Sequence, residues 1–181
     1  MEVFDLYNNF RTPTGKTMER YTEVPEGYYR LVVHVCIFNS KGEMLIQQRQ
    51  PFKNSWPGLW DLTIGGSVSQ GENSQLAASR ELAEELGITY DFYFEAPAIT
   101  VSFYDGFDDI FVVNMDIDAK SLTLQPEEVK EAMWADRDKV VAMIDDGSFI
   151  PYEKHLIDYL FFLKDRRSTH ARDDTRHPDS T

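Results

Sequence analysis

Four glutamates and one arginine are concentrated in one short segment of the chain, GGSVSQGENSQLAASRELAEELGI, at residues 65 to 88. Glu81, Glu84 and Glu85 adjoin Arg80, and Glu72 lies a short distance before them. Carboxylates three or four residues apart on a helix repel each other by roughly a few tenths of a kcal/mol per pair. Such a group is either an ordinary solvated face or a site that binds a cation.

Helical geometry places the three later glutamates on one side of a helix. At about 100° per residue, Glu85 lies about 40° to one side of Glu81, and Glu84 lies about 60° to the other. The apolar residues occupy the opposite side: Leu76, Leu82, Ala83 and Leu86. An exposed acidic face would show the same pattern, so helical geometry by itself leaves both interpretations open.

The loop before the helix favours the interpretation as a cation site. Gly65 and Gly66 end a predicted strand, and glycine allows the backbone to approach other groups closely. A free carbonyl there can join the glutamates in an all-oxygen site, which suits Mg²⁺ or Mn²⁺. Arg80 can also hold Glu72 in a charge-assisted pair that fixes the loop against the helix.

The same residues resemble the signature of a known family. From Gly66 to Ile88, nine defined positions match the Nudix box, G-x5-E-x7-R-E-U-x-E-E-x-G-U, in which U is aliphatic. Nudix proteins have an α/β/α sandwich fold and hydrolyse nucleoside diphosphate derivatives and related diphosphates. The resemblance therefore implies a hydrolase in which water attacks phosphorus, with divalent ions that neutralise the diphosphate and activate the water.

The resemblance also implies a role for each matching residue. Gly66 would provide a carbonyl ligand to Mg²⁺ or Mn²⁺, and Glu84 and Glu85 would provide carboxylate ligands. Glu81 would be a further ligand or the general base, while Arg80 and Glu72 would form a supporting salt bridge. Nudix enzymes often draw one more acid from a downstream loop. The candidates here are Glu127 or Glu128, ahead of Asp105, Asp108 and Asp109, and the alternative for each is an ordinary solvated loop acid.

The flanking segments resemble the isopentenyl-diphosphate-isomerase-like subgroup of Nudix proteins, over most of residues 2 to 152. Isomerisation of an isoprenoid diphosphate is therefore a rival reaction. Isomerases carry a catalytic Cys and a metal-binding His in this segment, whereas Gly65 and Ser67 stand at those positions. The single Cys36 lies in a different predicted strand and is expected to be a small buried residue. Hydrolysis is the expected chemistry, and the intact acids disfavour a third alternative, a non-catalytic ligand-binding Nudix module.

Residues outside the box are also candidates for contact with a diphosphate. His34 lies in the middle of RLVVHVCIF and is either a hydrogen-bonded structural residue or a contact to substrate phosphate. Arg49 and Lys53 are either phosphate-binding residues or solvated side chains. The aromatic residues of the same region are expected to pack rather than to stack on a substrate: Phe52, Trp56 and Trp60.

The composition limits the classes of partner. With 18 Lys and Arg against 31 Asp and Glu, the net charge is −13, which disfavours binding to nucleic acid or to anionic membranes. No apolar run approaches the roughly 18 residues of a membrane span, and the N-terminal residues lack the apolar core of a signal peptide. We therefore expect a cytoplasmic enzyme whose substrate is a small-molecule diphosphate. The aromatic content and the N-terminal extension are compatible with a homodimer.

Hydrophobic periodicity predicts a single α/β domain with three helices. Strands are predicted at 2–8, 30–39, 44–49, 61–66, 92–104, 109–117 and 130–135. Helices are predicted at 74–86, 136–147 and 151–167, the first capped by Asn73 or Ser74 and stopped by Gly87. The predicted fold is an α/β/α sandwich with a mixed central sheet over 1–167, in which 1–29 form an N-terminal extension. Residues 168–181 are predicted to be a disordered tail.

Overall fold

The computed structural model describes residues 2 to 165. In chain order its strands are β1 (Val3–Tyr7), β2 (Pro13–Glu19), β3 (Arg30–Phe38), β4 (Met44–Arg49), β5 (Trp60–Asp61), β6 (Ile64–Ser67), β7 (Ile99–Phe103), β8 (Gly106–Asn114) and β9 (Val129–Ala135). The α-helices are α1 (Ser74–Leu86), α2 (Arg137–Asp145) and α3 (Lys154–Leu163). A short 3₁₀ helix spans Ala119–Ser121.

The second half of β3, Val35 to Phe38, is buried on both faces because it is apolar in both alternating sets of residues. Val33, Val35 and Ile37 belong to one hydrophobic cluster, together with the buried side of α1. Cys36 and Phe38 belong to a second cluster, together with α2 and α3. Helices thus cover both faces of the sheet, which confirms the predicted α/β/α sandwich.

The sheet is mixed, as the sequence predicts. β3 pairs in parallel with β8 along its whole length and antiparallel with β6. β8 continues to β7 on one side, while β4 carries β5 and β9 on the other. The register places His34 opposite Gly65 and Val33 opposite Gly66. β3 therefore supports the two glycines that precede the acidic helix.

Helix α1 begins and ends where the sequence predicts. The side chain of Asn73 accepts a hydrogen bond from the Leu76 backbone N–H at 2.9 Å, so Asn73 is the N-cap. Gly87 ends the helix with φ of +68°, a left-handed conformation that favours glycine. The apolar residues of α1 that are buried against the sheet are Ala77, Ala78, Leu82 and Leu86. Burial of this side brings the glutamates next to β6 and the loop before the helix.

The N-terminal extension contains a strand that the sequence pattern does not predict. β2 pairs antiparallel with β1, in a segment for which the sequence pattern predicts no strand. Its side chains are mostly exposed and do not alternate, so its strand conformation depends on pairing with β1. The hairpin also bonds to the loop that carries Glu72. Gln70 N–H donates to the Val3 carbonyl at 2.8 Å, and Gly71 N–H donates to Asp5 Oδ2 at 2.7 Å.

Several predicted boundaries are wrong. The strand predicted at 92–104 begins only at Ile99, because Pro97 lacks the N–H that a strand interior uses. The following strand occupies 106–114 rather than 109–117, and the segment 61–66 is divided between β5 and β6. Helix α3 begins at Lys154 rather than at 151. Residues 166 and 167 of that predicted helix, and the predicted tail at 168–181, lie outside the described residues.

Within residues 2–165, no helix has both the length and the apolar character needed to cross a bilayer. The most apolar of the three, α3, is 10 residues long. Its buried side chains pack into the second hydrophobic cluster: Ile157, Leu160, Phe161 and Leu163.

Candidate active site

The glutamates of α1 line a small cavity between the helix, β6 and the loop that precedes β9. Its volume is about 140 Å³. We call it the acid cavity. Its lining includes all the predicted metal ligands and two of the predicted phosphate-binding residues: Gly66, Glu81, Glu84, Glu85, Glu128, Arg49 and Lys53. The fold therefore brings residues from four separate parts of the chain to one place.

Arg80 is the centre of a hydrogen-bonded network beside this cavity. It donates to Glu72 through two bonds, Nε to Oε1 and Nη2 to Oε2, each of 2.8 Å. The same guanidinium donates to Glu81 Oε1 at 2.8 Å, to Glu84 Oε2 at 3.3 Å and to the Ser67 carbonyl at 3.1 Å. Hydrogen bonding to Arg80 holds the pKa of Glu72 below its ordinary value. Arg80 thus ties the loop to α1 and offsets the repulsion between the glutamates.

Glu81 and Glu85 are placed where a negative charge is unfavourable. Burial raises the pKa of Glu81 to about 7, although the charge of Arg80 opposes this rise. Burial, together with the charges of Glu81 and Glu128, raises the pKa of Glu85 well above its ordinary value. A divalent cation would favour the ionised form of both side chains. The electrostatics of the acid cavity therefore fit a metal-binding role.

A buried glutamine on β4 contacts the Glu85 carboxylate and was not predicted as a site residue. Gln47 is 1% exposed, and its Nε2 donates to Glu85 Oε2 at 3.2 Å. Its Oε1 atom is buried without a hydrogen-bond partner, whereas buried polar atoms are normally paired. This oxygen is thus available to a hydrogen-bond donor or a cation. The feature of the sequence that could have identified Gln47 is its position as a polar residue directly after the apolar residues MLI of a predicted strand.

Gly66 lies directly against the Glu81 side chain. A Cβ atom at this position would overlap the Glu81 carboxylate, so the close approach requires glycine. A backbone carbonyl and several carboxylates match Mg²⁺ or Mn²⁺ in ligand type. Among residues 2–165, no three His, Cys, Asp or Glu side chains share a ready-made coordination geometry. Instead, Glu81 accepts a hydrogen bond from Arg80, and Glu85 accepts one from Gln47.

The structure separates the candidate downstream acids. Glu128 lines the acid cavity and forms an ion pair with Lys53. Glu127 is exposed and does not line the acid cavity. Asp109 is 1% exposed and accepts two hydrogen bonds from Arg11, at 2.6 and 2.7 Å. Asp109 therefore anchors the N-terminal hairpin to β8 and lies outside the acid cavity.

A second and much larger cleft adjoins the acid cavity. Its volume is about 1130 Å³, and we call it the large cleft. Its walls come from the N-terminal hairpin, β3, β6, the loop before β5 and the turn between β7 and β8. The residues that line both cavities are Arg20, Arg49, Gly65, Gly66 and Ser67. Two arginines and the glycines of β6 thus stand between the glutamates and a cleft of ligand size.

His34 lies in the wall of the large cleft, within a chain of hydrogen bonds. Its Nδ1 atom donates to Asp108 at 2.9 Å, and Tyr152 O–H donates to Asp61 at 2.8 Å. Because the tyrosine proton is committed to Asp61, His34 Nε2 can bond to the Tyr152 oxygen, 3.3 Å away, only as a donor. Burial disfavours the imidazolium, but Asp108 and Asp61 outweigh this effect and raise the pKa of His34. His34 is thus a hydrogen-bonded residue of the cleft wall whose pKa is raised above its ordinary value.

Of the remaining expectations from the sequence, some are confirmed and others are wrong. Cys36 is fully buried, and burial raises the pKa of its thiol, as expected for a packing residue. Trp60 is also packed, at 9% exposed. The expected packing of Phe52 and Trp56 is wrong, because these side chains are 67% and 49% exposed. Asp105 lines the large cleft and pairs with an arginine of β3 rather than with the glutamates.

Comparison with known proteins shows which family the chain resembles. A NUDIX domain model matches residues 28–154. An uncharacterized Nudix hydrolase of Listeria monocytogenes is 44% identical over 170 residues, which cover 94% of this chain and 99% of that protein. An isopentenyl-diphosphate Delta-isomerase of Corynebacterium diphtheriae is 23% identical over 158 residues, covering 82% of this chain and 86% of that protein.

A solved structure shows the same fold. The crystal structure of DR0079 from Deinococcus radiodurans superimposes with a TM-score of 0.72 at 22% identity, covering 88% of this chain and 99% of that one. The domain model and the Listeria relative each match well over half of this chain. The chain therefore belongs to the Nudix family of hydrolases, enzymes that act on diphosphate-containing substrates.

Proposed function

We propose that this enzyme is a divalent-cation-dependent diphosphatase that cleaves a nucleoside diphosphate derivative or a related organic diphosphate. In the reaction, water attacks one phosphorus atom. A new P–O bond forms to the water oxygen, and the P–O bond to the bridging oxygen breaks. The ion would be Mg²⁺ or Mn²⁺, which oxygen ligands favour.

One observation carries this proposal. Glu85 is buried and the Glu81 side chain is 14% exposed, both have raised pKa values, and Glu81 lies against Gly66. A solvated acidic face would leave these side chains exposed and would have no reason to bury them. Glu84, with its side chain 52% exposed, is the member of the group that most resembles an ordinary surface acid.

The residues of the site would have different roles in the reaction. Gly66, Glu84, Glu85 and Glu128 would hold the ion, and Glu81 would either join them or accept a proton from the attacking water. When bound, the ion would neutralise charge on the diphosphate and lower the pKa of a water molecule.

The cationic residues have two different roles: one positions a glutamate, and the others would bind the substrate. Arg80 fixes the position of Glu81 from α1 through its hydrogen bond. Arg49 and Lys53 would bind diphosphate oxygens, since both line the acid cavity. His34 would act from the neighbouring cleft, where its Nε2 atom lies 3.3 Å from the Tyr152 oxygen.

The structure also argues against the isomerase alternative. A Cβ atom at Gly65 would come within 2.5 Å of the His34 ring, so the isomerase cysteine has no room at this position. Ser67 offers its carbonyl to Arg80 and carries no imidazole. Cys36 is buried in the second hydrophobic cluster and lines neither cavity. The acid and base that alkene isomerisation needs are therefore missing from the expected positions.

The test is a panel of diphosphates, assayed for phosphate or nucleoside monophosphate release with Mg²⁺ and with EDTA. We expect metal-dependent release that falls at least about 100-fold in Glu85→Gln. Glu127→Gln is the matched control, because Glu127 is exposed and outside the acid cavity, and it should retain normal activity. Absence of metal-dependent turnover, or full activity in Glu85→Gln, would reject the proposal. Conversion of isopentenyl to dimethylallyl diphosphate would instead support the isomerase.

A further inference from the structure

We propose that Gln47 is a positioning residue of the metal site, whose side-chain amide fixes the Glu85 carboxylate for the divalent cation without neutralising it. Removal of this amide should weaken the binding of the cation. The inference rests on the proposed diphosphatase function, because it concerns the ion that this function requires.

Gln47 stands on a rigid part of the sheet. On β4 it has a paired strand on each side, with Asp61 of β5 opposite on one side and Ala132 of β9 on the other. Because side chains alternate along a strand, Gln47 shares a face with Leu45, which packs in the same hydrophobic cluster as the buried side of α1. The amide therefore meets α1 from a backbone that is held on both sides.

Glu85 differs from the other glutamates of the site in the kind of partner that holds it. Each of the other four pairs with an arginine or a lysine: Glu72, Glu81 and Glu84 with Arg80, and Glu128 with Lys53. Within residues 2–165, Glu85 has no such ion pair, and its Oε2 atom accepts a hydrogen bond from Gln47 Nε2 at 3.2 Å. A neutral donor orients a carboxylate and leaves its negative charge for a cation, whereas an arginine would compete with the ion.

The contact with Glu85 is what explains an amide at this buried position. Gln47 is 1% exposed, and its Oε1 atom has no hydrogen-bond partner within residues 2–165. A buried amide with an unpaired oxygen costs free energy, which an apolar side chain of similar size would avoid. The fold therefore gains little from this glutamine, and its hydrogen bond to Glu85 indicates a role in the site.

Gln47 would act on the ion through Glu85. Glu85 lines the acid cavity, whereas Gln47 does not. Since Gln47 holds Oε2, the Oε1 atom of Glu85 stays open to the ion. Hydrogen-bond partners of metal ligands fix the orientation of those ligands, and their removal typically weakens metal binding by about 10- to 100-fold.

The experiment measures Mn²⁺ binding in the absence of any substrate. Wild type, Gln47→Met and Gln47→Leu are titrated with Mn²⁺, and the free ion is followed by its electron paramagnetic resonance signal. Both substitutions remove the donor and keep a side chain of similar size, so the Kd for Mn²⁺ should rise by about 10- to 100-fold in each. In the diphosphate assay, the Mg²⁺ concentration that gives the half-maximal rate should rise by a similar factor.

The neighbouring residue on β4 provides a matched control. Gln48 is the same residue type, and its Oε1 atom is also buried without a partner. Its Nε2 atom, however, donates to the Gly58 carbonyl at 2.8 Å, and its side chain lies on the other face of the strand. Gln48→Met should therefore bind Mn²⁺ as the wild type does.

Two further measurements separate positioning from folding. In a Glu85→Gln background, Gln47→Met should cause no additional loss of Mn²⁺ affinity, because Gln47 acts through Glu85. Thermal unfolding in EDTA should give Gln47→Met a melting temperature close to that of the wild type, because an apolar residue suits this buried position.

Unchanged Mn²⁺ affinity in both Gln47 variants, an equal loss in Gln48→Met, or additive losses with Glu85→Gln would overturn the proposal. Unfolding of both Gln47 variants in EDTA would also overturn it, because the amide would then serve the fold. If the wild type binds no Mn²⁺, the metal-dependent diphosphatase function fails as well. If the wild type binds Mn²⁺ but hydrolyses no diphosphate, that function fails alone, and the Mn²⁺ titration still decides the role of Gln47.

Discussion

Glu81→Gln should stabilise the metal-free protein while it abolishes activity. The substitution removes the charge of a carboxyl group that the fold buries, and an amide oxygen can keep the hydrogen bond from Arg80. In the folded protein the pKa of Glu81 is raised from 4.5 to about 7, chiefly by burial. At about 1.4 kcal/mol for each pKa unit, this rise corresponds to roughly 3 kcal/mol.

The sign of the pH dependence follows from the direction of that shift. Between about pH 4.5 and 7 the folded state binds the Glu81 proton more tightly than the unfolded state. Stability from this group is therefore fully present below pH 4.5 and is lost as the pH rises through 7. The stability of the wild type should fall relative to Glu81→Gln over this interval, by up to about 3 kcal/mol at pH 7.5.

The assay is urea denaturation in EDTA at pH 5 and pH 7.5, with Glu84→Gln as the matched control. Glu84 lies on the same helix with its side chain 52% exposed, so its substitution should change the free energy of unfolding little. Added Mg²⁺ at about 100 times its dissociation constant should stabilise the wild type by about 2.7 kcal/mol and Glu81→Gln by less. Equal stability of wild type and Glu81→Gln at pH 7.5 in EDTA would refute the reasoning.

Three other substitutions test positions that the fold places under tight constraint. Gly66→Ala should lower kcat/KM for diphosphate hydrolysis about 100-fold in a steady-state assay, because the new methyl group displaces the Glu81 carboxylate. Asp109→Ala should lower the free energy of unfolding by about 2–3 kcal/mol in urea, because it leaves Arg11 without its buried partner. Gly87→Ala should lower the melting temperature, with a cost of about 1 kcal/mol from the left-handed φ of +68°. Unchanged activity in the first variant, or unchanged stability in the others, would contradict these assignments.

The local pattern of residues was sufficient for much of the scaffold. The bounds of α1 follow from Asn73 at its start and Gly87 at its end, which act through bonds within a few residues. The burial of the second half of β3 on both faces follows from its apolar run, VCIF. The Arg80 pair with Glu72 follows from a spacing of eight residues across a loop and a helix. In each case the interacting residues are close together along the chain, so the local sequence is enough to predict the interaction.

Features that depend on long-range contacts could not be predicted from the local sequence. β2 is a strand because β1 pairs with it, and its own residues do not alternate. The choice of Glu128 over Glu127 depends on which side of one loop meets α1, since the two residues are adjacent and identical. Exposure of Trp56 beside a packed Trp60 likewise depends on how the loop lies across the cleft.

The sequence by itself determined the family, the fold class and the group of acids, because the Nudix box and the periodicity of the elements are local properties. Only the tertiary structure decided how those acids are used. It buried Glu85 and most of Glu81 while leaving Glu84 half exposed, because β4, β6 and the loop before β9 close over one part of the helix. It also brought His34 to Tyr152 across 118 residues, and Arg11 to Asp109 across 98. Contacts over such distances depend on the packing of the whole chain, which no short segment records.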